Sequence, residues 1–186
     1  MKRRALERIF LLGLLALLPA CGGGGGGGGG GPIVQPPTPG ITFTPASAAG
    51  ANSLSLQAGA GSVTSIELRV TAQTVSNLYG VAFDLDYPSS ALRYVTSTAG
   101  DVLATNGVSL LLQVSETTPG HLVAGISRTG NVPGIASATG VVLTIRFDAV
   151  AAGTGAIAFT RNRAYDQASV AISGVTWVGG SATVVR

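Results

Sequence analysis

From Thr64 to Ala72 the chain reads TSIELRVTA, with apolar and polar side chains taking strict turns. Successive side chains of a β-strand point to opposite faces. As a strand, this segment gathers Ile66, Leu68 and Val70 on one face and Glu67, Arg69 and Thr71 on the other. Wound at the helical period, the same residues would scatter around the axis and leave no apolar stripe to bury. Two further segments obey the same rule. Leu78–Tyr87 turns Tyr79, Val81, Phe83, Leu85 and Tyr87 inward and leaves Gly80, Ala82, Asp84 and Asp86 on the opposite face. Val141–Val150 sets Val141, Leu143, Ile145 and Phe147 against Val142, Thr144, Arg146 and Asp148.

Shorter runs fill the rest of the chain. Ser53–Gln57, Leu92–Ser97, Ala156–Thr160 and Val170–Ser173 read as strands. Ser109–Ser115 and His121–Ser127 read as a hairpin around Glu116–Gly120. Gly174–Val178 and Ser181–Val185 close the chain around Gly179-Gly180. Gly, Pro, Asn and Ser separate these runs, which marks turns. The expected fold is all-β: a two-sheet antiparallel β-sandwich of Greek-key or jelly-roll topology with about nine strands. Residues 41–186 supply one domain, large enough to bury a core without disulfides.

The N-terminal part is of another kind. Lys2, Arg3, Arg4 and Arg8 precede the apolar run Ile9–Leu18, and Leu18-Pro19-Ala20-Cys21 follows. A basic start, a short apolar stretch and a small residue before a cleavage point describe a secretory signal peptide over residues 1–20. The apolar run is too short to span a bilayer as a helix. Cys21, the one cysteine of the chain, stands at the cleavage point, and Gly22–Gly31 and a Pro-rich stretch follow it. Glycine has no side chain to bury and the most backbone freedom to lose. Residues 21–40 are therefore expected to be a flexible linker. Leu18, Ala20 and Cys21 resemble the lipobox of bacterial lipoproteins. That resemblance implies that Cys21 is acylated and anchors the chain in the cell envelope, at the outer membrane or the cell surface.

Charge narrows the partners. The chain has 11 Lys and Arg against 8 Asp and Glu. Four of the basic residues and Glu7 lie in residues 1–20, which leaves seven of each sign beyond them. The excess of positive charge thus belongs to the signal segment. The scattered arginines of the domain give no electrostatic footprint for nucleic acid.

In the domain, LYGVAFDLDYPSSALRYVTSTAGDVLA resembles the third and fourth strands of bacterial cohesin domains. Tyr87-Pro88, Ala91-Leu92 and Gly100-Asp101-Val102-Leu103 fill the places of that family's turn and following elements. GVVLTIRFDAVAAGTGAIAFTRNRAYDQASVAI is similar to a later cohesin stretch, and VGGSATVV to the terminal strand. The resemblance spans about residues 52–186 and implies a cohesin-like jelly-roll, a fold shared with certain cellulose-binding modules. It also implies a face for binding dockerins, built from the third, fifth, sixth and eighth strands. On the third strand, Gly80, Ala82, Asp84 and Asp86 are the candidate contacts.

Catalytic candidates are few. His121 has no nucleophilic serine elbow near it, and it reads as an exposed strand-end residue. Asp84 and Asp86 share a face, as paired carboxylates for glycoside hydrolysis or calcium would. A flat sheet face is a poor catalytic pocket, and a cross-strand arginine, Arg128, Arg146 or Arg161, explains the pair more simply. Tyr94, Tyr165 and Trp177 are candidates for a sugar-stacking platform, with core filling the simpler role for Trp177. Arg161, Arg163, Tyr165 and Asp166 form the densest polar cluster and read as a contact loop. The expectation is a membrane-attached binding module, neither an enzyme nor a cofactor or metal protein. Its partner is a dockerin-like or other envelope protein; the alternative is a polysaccharide.

Overall fold

The computed structural model describes residues 38–186. The signal segment, Cys21 and the linker up to residue 37 lie outside the described residues. Eleven strands follow in chain order: β1 (Gly40–Pro45), β2 (Ser53–Gly61), β3 (Ser65–Val75), β4 (Gly80–Asp86), β5 (Leu92–Ala99), β6 (Leu110–Thr118), β7 (His121–Arg128), β8 (Ala138–Ala149), β9 (Gly153–Tyr165), β10 (Thr176–Val178) and β11 (Gly180–Val185). One short 3-10 turn, Thr105–Gly107, interrupts them.

The strands form a six-stranded sheet in the order β1-β11-β9-β4-β7-β6 and a five-stranded sheet in the order β10-β2-β3-β8-β5. The inward faces of both sheets build one core. β3 contributes Ile66, Leu68 and Val70, β4 contributes Val81, Phe83 and Leu85, and β8 contributes Leu143, Ile145 and Phe147, all buried. Aromatic rings link the layers: Tyr87 lies 4.9 Å from Phe147 and Phe83 lies 5.8 Å from Trp177, centroid to centroid, while Phe83 and Phe159 pack edge to face at 5.1 Å within the larger sheet. Such tilted and edge-to-face pairs add to the area they bury. The sandwich expected from alternation is the fold observed.

Several local expectations change. There are eleven strands, not about nine, and β1 lies in a stretch that gave no strand signal. β9 runs on through Arg161, Asn162 and Arg163, so those residues belong to a strand and not to a loop. Val170–Ser173 forms no strand; a single bridge between Tyr165 and Ala171 is all that pairs there. Val142, placed on the outer face by alternation, is fully buried together with Leu143. The cause is a bulge: Val70 pairs with Leu143 and Thr71 with Val141, which leaves Val142 as the extra residue. Tyr79 lies before β4 and outside the buried core. Its hydroxyl donates to the Gly130 carbonyl at 2.8 Å.

The last two strands do not close a hairpin. β10 pairs in parallel with β2, the one parallel ladder among the described residues, while β11 inserts between β1 and β9 of the other sheet. The chain crosses between layers at Gly179, where an added Cβ would stand 2.4 Å from the Ile157 carbonyl oxygen. Only glycine permits that close approach of two backbones.

Candidate functional site

Four neighbouring strands of the larger sheet, β9, β4, β7 and β6, present one outer face. Gly80 stands opposite Ser127 and Tyr165, Ala82 opposite Gly125 and Arg163, Asp84 opposite Val123 and Thr160, and Asp86 opposite His121 and Ala158. From β6, Leu111, Gln113 and Ser115 stand opposite Ser127, Gly125 and Val123. Residues directly opposite on neighbouring strands share a face. The result is a surface with a floor of small residues at Gly80, Ala82 and Gly125. Two aliphatic side chains rise beside it, Leu111 54% exposed and Val123 41% exposed.

Below that floor sits a charged cluster. Asp84 is only 6% exposed, although it points away from the core. A buried carboxylate is costly unless cations compensate it. His121 Nε2 and Arg161 Nε each lie 3.3 Å from Asp84 Oδ2. The other ring nitrogen, His121 Nδ1, makes a 2.6 Å hydrogen bond with Asp86 Oδ1. His121 thus bridges the two carboxylates. It is half-buried within this cluster rather than an idle strand end. Asp84 Oδ2 has the His121 ring and the Arg161 guanidinium beside it but no partner in hydrogen-bond alignment among the described residues.

Arg161 reaches Asp84 because β9 is bulged. Ala82 pairs with Arg163 and Asp84 with Thr160, so Arg161 and Asn162 together oppose one residue of β4. Arg161 takes a left-handed backbone, φ 46°. A bulge of this kind redirects one side chain out of the regular alternation. Of the three arginines considered as partners for the aspartates, Arg161 alone serves. Arg128 is buried and donates to the carbonyls of Leu103 and Thr105 at 2.7 and 3.3 Å. Arg146 lies 3.9 Å from Asp148.

The upper end of the face holds an open groove of about 330 Å³, lined by Tyr79, Ala82, Leu111, Gln113, Gly125 and Tyr165 among others. Arg163 is exposed, on the same face as Ala82. Its guanidinium donates to the neighbouring Asn162 carbonyl at 3.0 Å. It has no carboxylate within ion-pair distance among the described residues. Asp166 borders the groove, and its carboxylate accepts the Val170 N–H at 2.9 Å, which closes the turn after β9. The sheet-face candidates and the polar cluster Arg161–Asp166 therefore belong to one continuous surface. Sequence reasoning missed Leu111, Gln113, Val123, Gly125 and the pairing of His121. Their common signal is their position on the outward phase of β6 and β7.

The aromatic residues considered for a sugar platform do not form one. Trp177 packs on Phe159 and Phe83, at 5.0 and 5.8 Å, and Tyr94 packs on Phe147 at 6.4 Å. Tyr165 alone of the three faces the groove. No group of three or more His, Cys, Asp or Glu arranged for a metal occurs among the described residues.

Comparison with known proteins agrees with the geometry. The family model described as the cohesin domain matches residues 54–184. No curated protein matches the chain. Among solved structures, a type II cohesin–X–dockerin complex from Acetivibrio cellulolyticus is similar over 67% of this chain and 93% of the other, at 16% identity and TM-score 0.57. A type II cohesin from Bacteroides cellulosolvens is similar over 72% and 99%, at 13% identity and TM-score 0.59. A cohesin in complex with a dockerin from A. cellulolyticus, displaying a type I interaction, gives 72%, 99%, 13% and 0.56.

Proposed function

The chain belongs to the cohesin domain family, and from that premise we propose that it is a non-catalytic attachment module whose outer β9-β4-β7-β6 face receives a dockerin-like protein. The observation that carries this reading is the composition of that face. A flat surface floored by Gly80, Ala82 and Gly125 lets a partner approach closely. Leu111 and Val123 offer apolar area, and the Asp84–His121–Asp86–Arg161 cluster offers a polar rim. An apolar centre with a polar rim is the usual anatomy of a protein interface. The four strands to which the cohesin resemblance points are also neighbours here, in one sheet. The aromatic residues that a polysaccharide would stack on are largely spent in the core.

The proposal includes the anchor. Acylation of Cys21 would hold the module at the envelope. One acyl chain binds a membrane only marginally, and two or more hold it stably. The domain would then face outward on the linker, free to meet a partner.

Ala82→Arg tests the face. Position 82 is on the outer side of β4, so an arginine there stays solvated in the free domain. In a complex it would occupy the partner's space and bury an unpaired charge. Proteins and polysaccharides of the source organism are passed over the immobilised chain and over the variant. Capture of a dockerin-bearing protein by the first and not by the second is the expected result. Equal capture by both moves the site off this face, and capture of polysaccharide alone overturns the reading.

A further inference from the structure

We propose that the groove at Gly125 is a socket for one large apolar side chain of the protein partner, and that Arg163 beside it pairs with a carboxylate on the same partner segment. This rests on the reading of the outer face as a protein-docking surface and specifies what that surface selects.

Gly125 is the first ground. It sits in the middle of β7, where glycine weakens a strand because it has no side chain to pack and more backbone entropy to lose. At several other glycines of the sandwich an added Cβ would collide with a neighbour, as at Gly80, where it would stand 2.8 Å from Ser127 Cβ. At Gly125 it would meet nothing nearer than the Val81 carbonyl oxygen at 3.9 Å. Among the described residues, the one other strand glycine with that much room is Gly40, the first residue of β1. The fold does not need glycine at position 125, yet its missing side chain is what keeps the groove open. A strand glycine without a structural cause marks a place where another molecule comes close.

The walls are the second ground. Leu111 and Gln113 of β6 stand on one side, Tyr79 and Tyr165 on the other, with Ala82 and Gly125 as the floor. Leu111 is more than half exposed at this rim, so a side chain entering the groove would cover it. The groove has room for a large apolar side chain, which is how a protein anchor fills a pocket at the centre of an interface.

Charge is the third ground. Arg163 lies directly across from Ala82 and is an exposed cation without a carboxylate neighbour among the described residues. The other cation at this face, Arg161, already faces Asp84. An acidic group on the partner would therefore find Arg163 within one residue of the socket.

The backbone limits the form of the partner. β4 is hydrogen-bonded to β7 and β9, and β7 to β4 and β6, so an added strand could pair only along the outer edge of β6 and not across the floor of the groove. A segment lying across that floor arrives with its own backbone satisfied, as a helix does. An apolar residue and an Asp or Glu one turn apart on a helix lie on the same side, the side that would meet the socket and the arginine together.

The test is a selection on the full chain with a phage-displayed library built on a fixed helical scaffold. Enriched sequences are expected to carry Leu, Met, Phe or Trp with Asp or Glu one turn away. Gly125→Val fills the groove, suits a strand and should leave the melting temperature at or above that of the parent, while weakening each enriched peptide by about tenfold or more. Arg163→Glu should weaken the same peptides by about tenfold, and replacing their acid by Lys should restore binding to that variant. Peptides indifferent to Gly125→Val, or an enriched basic residue in place of the acid, would overturn the proposal. Val123→Arg separates the two levels of the argument. Peptides lost with Val123→Arg but kept with Gly125→Val would leave the docking face standing and remove the socket. Peptides indifferent to both would remove both. A selection that enriches nothing overturns the socket and leaves the face to the Ala82→Arg capture.

Discussion

Arg161 holds its guanidinium Nε 3.3 Å from Asp84 Oδ2 while its own backbone sits in the left-handed region. A left-handed conformation at a residue other than glycine is uncommon and is held in place by its surroundings. The Arg161 side chain is 82% exposed, so the pair lies in water on one side and its strength is modest. His121 is far less exposed and contacts both Asp84 and Asp86.

That difference ranks two substitutions. Arg161→Ala should lower stability by less than about 1 kcal/mol, as exposed ion pairs do. His121→Ala should cost about 1–3 kcal/mol, because it leaves the buried Asp84 carboxylate with one exposed cation and Asp86 as a like-charged neighbour. Urea unfolding of both variants checks the order, and an Arg161→Ala loss larger than that of His121→Ala would contradict it.

Phe83 and Phe147 are buried at the centres of β4 and β8. Replacing either by Ala should cost about 3–5 kcal/mol in denaturant melts. A loss under about 1 kcal/mol would mean that these rings do not hold the two layers together.

Tyr87 predicts an alkaline limb of stability. Burial, and then the Glu116 carboxylate that accepts its hydroxyl proton, raise this phenol above its ordinary value. The folded state therefore keeps the proton at a pH where the unfolded chain has lost it. The contribution is fully present below about pH 10 and disappears as pH climbs through the folded value. Thermal melts from neutral pH upward should show this decline, and Tyr87→Phe should lack the part of it due to this group. Equal alkaline slopes for parent and variant would count against the assignment.

Gly179→Ala should be strongly destabilising, by more than about 2 kcal/mol, since its Cβ would press on the Ile157 carbonyl. Gly125→Ala should be neutral or mildly stabilising. Comparing the two melts tests whether the two glycines stand for different things.

At the N-terminus, Cys21→Ser should release the protein from the membrane fraction or leave an unprocessed precursor. Fractionation and labelling with a radioactive fatty acid check this. Normal processing and retention would remove the lipid anchor from the proposal.

Alternation made β3 and β4 legible because β4 keeps one phase throughout and β3 keeps one from Ser65 to Ala72, before the register shifts ahead of Val75. It failed at Val142 and Arg161 because a bulge depends on how two strands meet, and neither strand alone records it. The Val170–Ser173 run looked like a strand from its apolar residues. Asp166 instead ties the Val170 N–H into a turn, and one bridge is what remains. In the candidate site, Asp84 and Asp86 were readable as face-mates from spacing alone. His121 was not readable as their partner, because that depends on the hairpin register. A connection spanning Glu116–Gly120 puts His121 at a loose end. The tighter turn at Pro119-Gly120 sets it opposite Asp86.

The position of β1 has a mechanical consequence. It is an edge strand whose only ladder is to β11, with Gly40 opposite Val185. Any pull on the linker enters the sandwich at Gly40 and loads that ladder first. β9 lies one strand further in, and β4 and β7 lie further still. If the load peels β1 away, local opening of an edge can precede global unfolding. The strands of the proposed docking face would then keep their geometry while the linker lengthened. With the anchor and the partner proposed above, the first strand would act as an extensible shock absorber between the two.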